Sequence, residues 1–343
     1  MVLYGCPRMG SWLNRGRAAG ALACFCVAST VAWGVPPLPD RLQIQARRVG
    51  VLEAPAADAM HMPTDVAVDS RGRVWVLDGA QDRILQFDRE GQLQQSLTSF
   101  AQETFDQPVG LTVDARDRLW VADTGNHRLL VADPDGSSVQ VIPLAAPDER
   151  PVNPTDLMVT PNGSATWIVD NDNHRVLVRD NATGELTARG RFGRGLSQFE
   201  WPFMIATTST GDILITESIG ARIQRISAAG RWAGQISRWG VQAGHLYRPK
   251  GIVVDARDRV YVSDSTLRVV QVFDAAGTLV GVLCEPDGRP LRFEYPMGLA
   301  LDRSGRLYVV ELWAHRVAVI ELPENFAVAA DTPTATRPAG GEP

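Results

Sequence analysis

The chain has 343 residues, with 34 basic and 39 acidic side chains, and its formal net charge is −5. This balance argues against a general binder of nucleic acids or anionic membranes. Hydrophobic residues make up 45%, which is typical of a globular chain rather than a disordered one or one with many membrane spans. Lys250 is the only lysine, so every other basic side chain in that count is an arginine.

Residues 1–32 have the pattern of a secretory leader. Three arginines precede an apolar run over residues 18–32, which ends in the small residues typical of a cleavage site. Two alternatives remain open: lipidation at Cys24, and an uncleaved membrane anchor, because the run is nearly long enough to span a bilayer. We therefore predict an exported protein, periplasmic or extracellular, whose membrane contact, if any, is made through this segment.

The cysteines separate the leader from the rest of the chain. Cys6, Cys24 and Cys26 lie in the leader, so a cleaved chain retains Cys284 alone and has no internal disulfide. Cys284 follows a predicted outer strand, and we interpret it as a buried apolar thiol rather than a nucleophile.

A repeat runs through about residues 60–322 and fixes the architecture. A proline recurs every 45 to 48 residues, an acid follows each proline by 15 or 16 residues, and an arginine follows each acid by four or five. The prolines are Pro63, Pro108, Pro154, Pro202, Pro249 and Pro296. The acids and arginines are Asp78 and Arg83, Asp123 and Arg128, Asp170 and Arg175, Glu217 and Arg222, Asp264 and Arg268, and Glu311 and Arg316.

Each repeat reads as four short strands. In the second repeat, residues 110–114, 119–123, 128–132 and 139–144 are apolar or β-branched and are separated by turn residues. Four strands in about 47 residues are typical of a propeller blade. The sequence therefore predicts an all-β fold, a six-bladed β-propeller over residues 41–322 with four strands per blade.

The last repeat lacks a fourth strand of its own, whereas residues 42–52 form a strand-like segment before the first repeat. Since closure of the ring removes exposed sheet edges, we predict that this N-terminal segment supplies the outer strand of blade six. Residues 323–343 are rich in Pro, Ala and Thr, and we predict a disordered tail there.

The second repeat carries a family resemblance. The run from Asp123 to Leu129 (DTGNHRL) follows the strand LWVA and resembles the NHL repeat, and Asn173-His174-Arg175-Val176 resembles it again. The resemblance implies a six-bladed NHL propeller. It also implies a broad range of biochemistry: protein-binding modules, RNA-binding modules in tripartite-motif ligases, and the peptidyl-hydroxyglycine amidating lyase.

The repeated polar residues are interpreted as structural. We expect each acid–arginine pair to lock the turn between the second and third strands of its blade, because the pair recurs in every blade. His127, His174 and His315 occupy the same position in different blades. This arrangement holds them too far apart for a zinc site, whose ligands lie about 2.0–2.1 Å from the metal.

The resemblance to the amidating lyase is distant. In that family the zinc histidines follow the blade prolines, whereas none of the six residues at these positions here is a histidine. They are Thr64, Val109, Thr155, Phe203, Lys250 and Met297. The tyrosine of that family's Asp-Gly-Tyr turn is also missing, because Ala80 follows Gly79. We predict no cofactor, with zinc or calcium left as alternatives. A calcium-dependent lactonase-like site would draw on Asp65 and Asp156.

The residues after the prolines differ between blades and are expected to line one mouth of the central channel. The candidate ligand-binding set is Thr64, Asp65, Thr155, Asp156, Phe203, Lys250 and Met297. Within this set, Lys250 is predicted to contact an anionic ligand. Aromatic residues in the preceding loops are expected to pack between blades or to form a recognition surface: Phe105, Phe199, Trp201, Tyr247, Phe293 and Tyr295.

The sequence therefore predicts an exported protein- or peptide-binding scaffold, without a nucleic-acid partner. The alternative is a lyase or hydrolase, amidating-lyase-like or lactonase-like, that uses the channel mouth. Spacing alone identifies no set of catalytic residues.

Overall fold

The structure is a computed structural model that describes residues 38–146 and 148–326. Almost all of its regular secondary structure consists of short β-strands, as predicted. Before and within the first three blades the strands are β1 (Gln43–Gln45), β2 (Arg47–Leu52), β3 (Asp65–Val68), β4 (Val74–Asp78), β5 (Arg83–Phe87), β6 (Leu93–Leu97), β7 (Ser99–Phe100), β8 (Glu103–Thr104), β9 (Gly110–Val113), β10 (Leu119–Asp123), β11 (Arg128–Ala132), β12 (Val139–Pro143), β13 (Pro154–Val159), β14 (Ala165–Asp170), β15 (Arg175–Asp180) and β16 (Leu186–Arg189).

The last three blades continue the same order. Their strands are β17 (Pro202–Thr207), β18 (Ile213–Glu217), β19 (Arg222–Ile226), β20 (Trp232–Ile236), β21 (Pro249–Val254), β22 (Val260–Asp264), β23 (Val269–Phe273), β24 (Leu279–Cys284), β25 (Pro296–Leu301), β26 (Arg306–Glu311) and β27 (Arg316–Glu321). Short 3-10 turns lie at Asp40–Leu42, Ala56–Asp58, Gly79–Gln81, Thr124–Asn126 and Glu324–Phe326.

Six sheets form the blades of a six-bladed propeller, and β7 and β8 pair in a separate two-stranded hairpin. In blades one to four the strands pair in chain order from the inner to the outer strand, as in β3-β4-β5-β6. The middle strands are apolar on both faces because each blade is covered by its two neighbours. Trp75 and Leu77 of blade one, for example, pack in one cluster with Leu119 and Val121 of blade two.

The N-terminal strand closes the ring. β2 pairs antiparallel with β27, with Leu52 opposite Val317 and Arg47 opposite Glu321, and it forms the outer strand of blade six. This confirms the predicted closure.

The prediction of a single strand over residues 42–52 was too simple, because the segment divides at Ala46. β1 pairs parallel with β24, so Gln43–Gln45 becomes a fifth strand of blade five. Gly281 makes this approach feasible, since a Cβ there would lie 2.6 Å from the carbonyl oxygen of Leu42. The N-terminal segment therefore ties blade five to blade six.

The predicted signal segment, residues 1–32, lies outside the described residues. Of the predicted tail, residues 323–343, the structure describes residues 323–326, which include the turn Glu324–Phe326. Phe326 is buried beneath the guanidinium of Arg259, 3.9 Å from the ring centroid. No helix among the described residues is long and apolar enough to cross a membrane.

The up-and-down order of strands places two sets of loops on the same face, which we call the upper face. One set comprises the segments that lead into the blades: 53–62, 98–107, 144–153, 190–201, 237–248 and 285–295. The other comprises the turns between second and third strands: 79–82, 124–127, 171–174, 218–221, 265–268 and 312–315. Backbone hydrogen bonds join the two sets, such as those from Ser218 N–H to Trp201 O (2.9 Å) and from Trp313 N–H to Glu294 O (3.3 Å).

Candidate functional site

The acid–arginine pairs form in five of the six blades. In each, the Nε–H of the arginine donates to the carboxylate of the acid. The distances are 2.9 Å for Asp78 and Arg83, 2.7 Å for Asp123 and Arg128, 2.6 Å for Asp170 and Arg175, 2.6 Å for Glu217 and Arg222, and 2.8 Å for Glu311 and Arg316. The acid also accepts a backbone N–H from 17 residues earlier in every blade, as from His61 to Asp78 at 2.8 Å. The pairs therefore hold both the turn and the loop that leads into the blade.

Blade five contradicts the predicted pair of Asp264 and Arg268. Asp264 instead accepts four backbone N–H groups, from residues 247, 248, 266 and 267. The spacing of four rather than five residues places Arg268 inside the turn, at φ 60°, and its guanidinium pairs with Glu294 on the surface. The shorter spacing, visible in the sequence, marks this exception.

The last residue of the turn forms a bridge to the next blade. His174 Nδ1 accepts the N–H of Trp201 at 3.2 Å, and His315 Nδ1 accepts the N–H of Met62 at 2.9 Å. His127 Nδ1 lies 2.7 Å from the carbonyl oxygen of Val152. Burial lowers the pKa of His174 below its usual value, in keeping with an imidazole that accepts a hydrogen bond.

The three histidines therefore link the turn of one blade to the loop that leads into the next blade. In blade four, Ala221 occupies the same position and has no polar side-chain atom to make the link. Among the described residues no group of three or more His, Cys, Asp or Glu side chains is arranged to hold a metal ion.

Asp65 and Asp156 line the central channel and join neighbouring inner strands. The two oxygens of Asp65 accept the N–H groups of Val66 and of Leu111 in blade two, both at 2.9 Å. Asp156 likewise accepts from Leu157 and from Ile205 in blade four, both at 2.8 Å. Burial raises the pKa of Asp65 to about 7. Burial, and then repulsion from Asp65, raise the pKa of Asp156 well above its usual value.

The other predicted mouth residues are mostly packed. Phe203 and Met297 are fully buried, and the Oγ of Thr155 donates to the carbonyl oxygen of Phe203 at 3.0 Å. The ammonium of Lys250 lies 3.9 Å from the centroid of the Phe203 ring, across the junction of blades four and five. Thr64 is half-buried. Their role in binding a ligand stays a prediction.

A cavity of about 250 Å³ occupies the channel below these residues. All six inner strands line it, and its titratable lining groups are Asp65 and Asp156. The remaining wall is largely apolar, with Thr112 and Thr207 as further polar residues. Cys284 lies away from this wall in β24, where burial raises the pKa of its thiol to about 11, as expected for an inert buried cysteine.

The exposed apolar side chains lie mainly on the upper face. Of the ten large exposed hydrophobic residues in the described part of the chain, seven are in its loops and turns: Met62, Phe192, Leu196, Trp201, Trp239, Val241 and Trp313. They come with aromatic neighbours. His174 contacts Trp201 with ring centroids 4.4 Å apart, and Tyr295 stacks on Trp313 at 4.5 Å.

The predicted loop aromatics divide by their distance from the blade proline. Phe105, Phe199 and Phe293 stand three residues before it and are buried in the blade clusters. Tyr247, Trp201 and Tyr295 stand one or two residues before it and are partly or well exposed. Three further exposed rings were not predicted: Phe192, Trp239 and Trp313. Phe192 and Trp239 both stand ten residues before the proline of their blade, and Trp313 is the second residue of the turn in blade six, so the spacing of the repeat could have located them.

The comparisons with known proteins agree with this architecture. The NHL repeat family model matches residues 105–141, in blade two. The Protein brain tumor of Drosophila melanogaster is 26% identical over 138 residues, which are 40% of this chain and 13% of that protein. The chain thus spans only a small part of that relative's length.

Solved structures show the same fold at low identity. A catalytically inactive variant of virginiamycin B lyase from Staphylococcus aureus, solved with quinupristin, has a TM-score of 0.58 at 16% identity, covering 84% of this chain and 90% of that one. A gluconolactonase from Xanthomonas campestris has a TM-score of 0.59 at 18% identity, covering 84% and 98%. These likenesses establish the fold alone. The chain is a six-bladed β-propeller with an NHL repeat in its second blade.

Proposed function

We propose that this six-bladed propeller is an exported module that binds a protein or peptide on its upper face. The observation that carries the proposal is the concentration of exposed apolar side chains there. Trp239, Trp313 and Phe192 are 65%, 61% and 59% exposed. Large aromatic residues at a surface are disfavoured in water and are enriched at the centres of protein interfaces.

The backbone supports the same conclusion. Trp201 and Tyr295 both have φ of 56°, in the left-handed region that bulky residues rarely adopt. Such a conformation costs about 1–2 kcal/mol and is found preferentially at functional sites. At the equivalent positions of blades one and two, Met62 and Gln107 have the same conformation. Four blades therefore hold this residue in a strained conformation, and in blades four and six the residue is an aromatic one on the upper face.

Export is part of the proposal and is supported by the leader-like sequence of residues 1–32. The test is mass spectrometry of the protein recovered from the envelope fraction of its source cells. Export with cleavage predicts a mature N-terminus at or near residue 33. Recovery of the intact chain from the cytosol would contradict it.

Capture of a partner tests the docking face. The purified protein is immobilised and exposed to an envelope extract, in parallel with the double variant Trp239→Ala/Trp313→Ala. The matched control is Val141→Ala, an exposed apolar residue of outer strand β12, away from the upper face. We expect a partner that the wild type and the control retain and that the double variant loses. A partner retained by all three proteins would place docking elsewhere and refute the proposal.

A second candidate function is a lyase or hydrolase in the channel. The observation in its favour is the buried pair of Asp65 and Asp156 beside a cavity, since carboxyl groups with raised pKa values occur at active sites. A bound calcium or zinc ion belongs to this candidate. Its weakness is that all four carboxylate oxygens already accept backbone N–H groups. Stoichiometric metal in the purified protein, or lactone hydrolysis that Asp156→Asn abolishes, would favour it over binding.

A further inference from the structure

The two halves of the upper face differ in charge. In the loops and turns of blades one to three, eight acids outnumber the single arginine, Arg150. The acids are Glu53, Asp58, Asp82, Glu103, Asp106, Asp148, Glu149 and Asp172. In the loops and turns of blades four to six the sign is reversed, with seven arginines and four acids. The arginines are Arg191, Arg194, Arg238, Arg248, Arg268, Arg289 and Arg292, and the acids are Glu200, Glu285, Asp287 and Glu294.

The basic half also carries most of the exposed apolar rings. Phe192, Trp201, Trp239 and Trp313 all belong to blades four to six. Positive charge and exposed aromatic surface therefore coincide, and an anionic partner with apolar side chains matches both.

A groove of about 530 Å³ lies over blade four, between the loops 190–201 and 237–248. Its rim carries Arg194, Arg238 and Trp239. Arg194 is 85% exposed and uses its Nε–H to contact Glu200, at 3.0 and 3.1 Å. Arg238 donates its Nε–H to His245 Nε2 at 2.9 Å. Within the part of the chain that the structure describes, the terminal nitrogens of Arg194 and Arg238 make no hydrogen bond.

The turn of blade four lacks the side-chain link to the following loop, 237–248, that histidines make in other blades. In blades three and six the last turn residue is a histidine that binds the loop leading into the next blade. Blade four has Ala221 there, so no side chain bridges from this position. The groove lies at this unbridged junction.

We propose that this groove binds an acidic peptide segment of the partner protein, with an aromatic or aliphatic side chain against Trp239 and a carboxylate between Arg194 and Arg238. The inference rests on the proposed function and specifies the chemistry of its partner. Guanidinium groups bind carboxylates through paired, charge-assisted hydrogen bonds. An apolar anchor on an aromatic ring gives the contact most of its binding energy.

A peptide fits this face better than a nucleic acid does. A short acidic segment can lie within the basic half alone. A longer polyanion would also cross the acidic half, where carboxylates repel phosphates. The overall charge of −5 adds to that repulsion.

The test is panning of a phage-displayed library of random peptides against the purified protein, followed by affinity measurement on a synthetic copy of an enriched peptide. We expect enriched sequences in which acidic residues adjoin an aromatic or aliphatic one. The analogue with Asn and Gln in place of Asp and Glu should bind at least tenfold more weakly. Raising the salt concentration should weaken the acidic peptide in the same direction.

Charge reversal locates the contact. Arg194→Glu/Arg238→Glu should weaken the acidic peptide at least tenfold, whereas the matched control Arg150→Glu, in the acidic half, should leave its affinity unchanged. Circular dichroism melts of all variants check that they fold. Three results would each overturn the inference. The amide analogue could bind as tightly as the acidic peptide, or the acidic peptide could bind Arg194→Glu/Arg238→Glu as tightly as the wild type. A single-stranded RNA 12-mer could also bind the same groove more tightly than the peptide. If partner capture depends on Trp239 and Trp313 but not on the two arginines, the docking face stands and the acidic specificity fails.

Discussion

Replacement of Arg48 by methionine should weaken the closure of the ring. Arg48 lies in β2, and its guanidinium contacts both oxygens of Glu311 in blade six, at 2.6 and 3.3 Å. Glu311 is only 1% exposed in its side chain, whereas Arg48 is 26% exposed. Burial acts to raise the pKa of Glu311. Hydrogen bonds, of which the one from Arg48 has the largest effect, outweigh burial and hold that pKa below its usual value. Methionine keeps the apolar stem and removes the charge.

The size of the effect follows from what remains. Breaking a buried ion pair completely costs about 3–5 kcal/mol. Here Arg316 still donates to Glu311 at 2.8 Å, so the carboxylate keeps one cationic partner. Loss of the charged hydrogen bonds from Arg48 should therefore cost about 2 kcal/mol. In a propeller of this size that lowers Tm by about 3 °C.

Urea unfolding of Arg48→Met, compared with the wild type across pH, provides the assay. The folded-state pKa of Glu311 is lowered, so its contribution is present above the unfolded value of 4.5 and is lost as pH falls through the folded value. The difference between the two proteins should therefore be largest above pH 5 and should shrink as the pH falls. The matched control is Arg47→Met, one residue earlier, whose pair with Glu321 is 68% and 54% exposed and should contribute little. If Arg48→Met is no more destabilising than the control, the closure is not held by this contact.

Three further changes test other parts of the structure. Gly298→Ala should destabilise strongly, because its Cβ would overlap Asp65 Oδ1, whereas Gly50→Ala, with no atom within 4 Å, should be neutral in thermal melts. Asp65→Asn should change the pH dependence of stability. The pKa of the wild-type carboxyl is raised from 3.8 in the unfolded chain to about 7 in the folded protein. The wild type is therefore most stable below pH 4, and its free energy of unfolding falls by up to about 4 kcal/mol as the pH rises to 7. A difference in stability between wild type and variant that does not change with pH would contradict the raised pKa. Arg83→Ala, which leaves a buried acid without its partner, should cost about 3–5 kcal/mol in urea unfolding. Arg268→Ala should cost far less, because that arginine pairs with Glu294 at the surface. Equal losses in the two variants would mean that Arg268 also pairs with a buried acid, contrary to the structure of blade five.

Much of the fold could be predicted because the repeat is long and regular. The spacing of prolines, acids and arginines fixed the number of blades, and the missing strand of blade six identified its replacement. The attachment of Gln43–Gln45 to blade five was not predictable, since it depends on close approach at Gly281 rather than on the hydrophobic pattern.

The candidate site was harder to predict, because it depends on how far side chains reach. Residues after the prolines were expected to line an open mouth, but Phe203 and Met297 are buried by packing. Distance from the proline identifies Trp201 and Tyr295, and it also identifies Phe192 and Trp239, which both stand ten residues before the proline. That these rings are exposed rather than packed between blades depends on side-chain packing, which the repeat pattern does not encode.

Hydrogen exchange of the protein with and without a captured partner tests the docking face most directly. The account predicts slower exchange in the upper-face segments 190–201, 237–248 and 312–315, and unchanged exchange in the turns between first and second strands. Protection confined to those opposite turns, or to the outer strands, would contradict it.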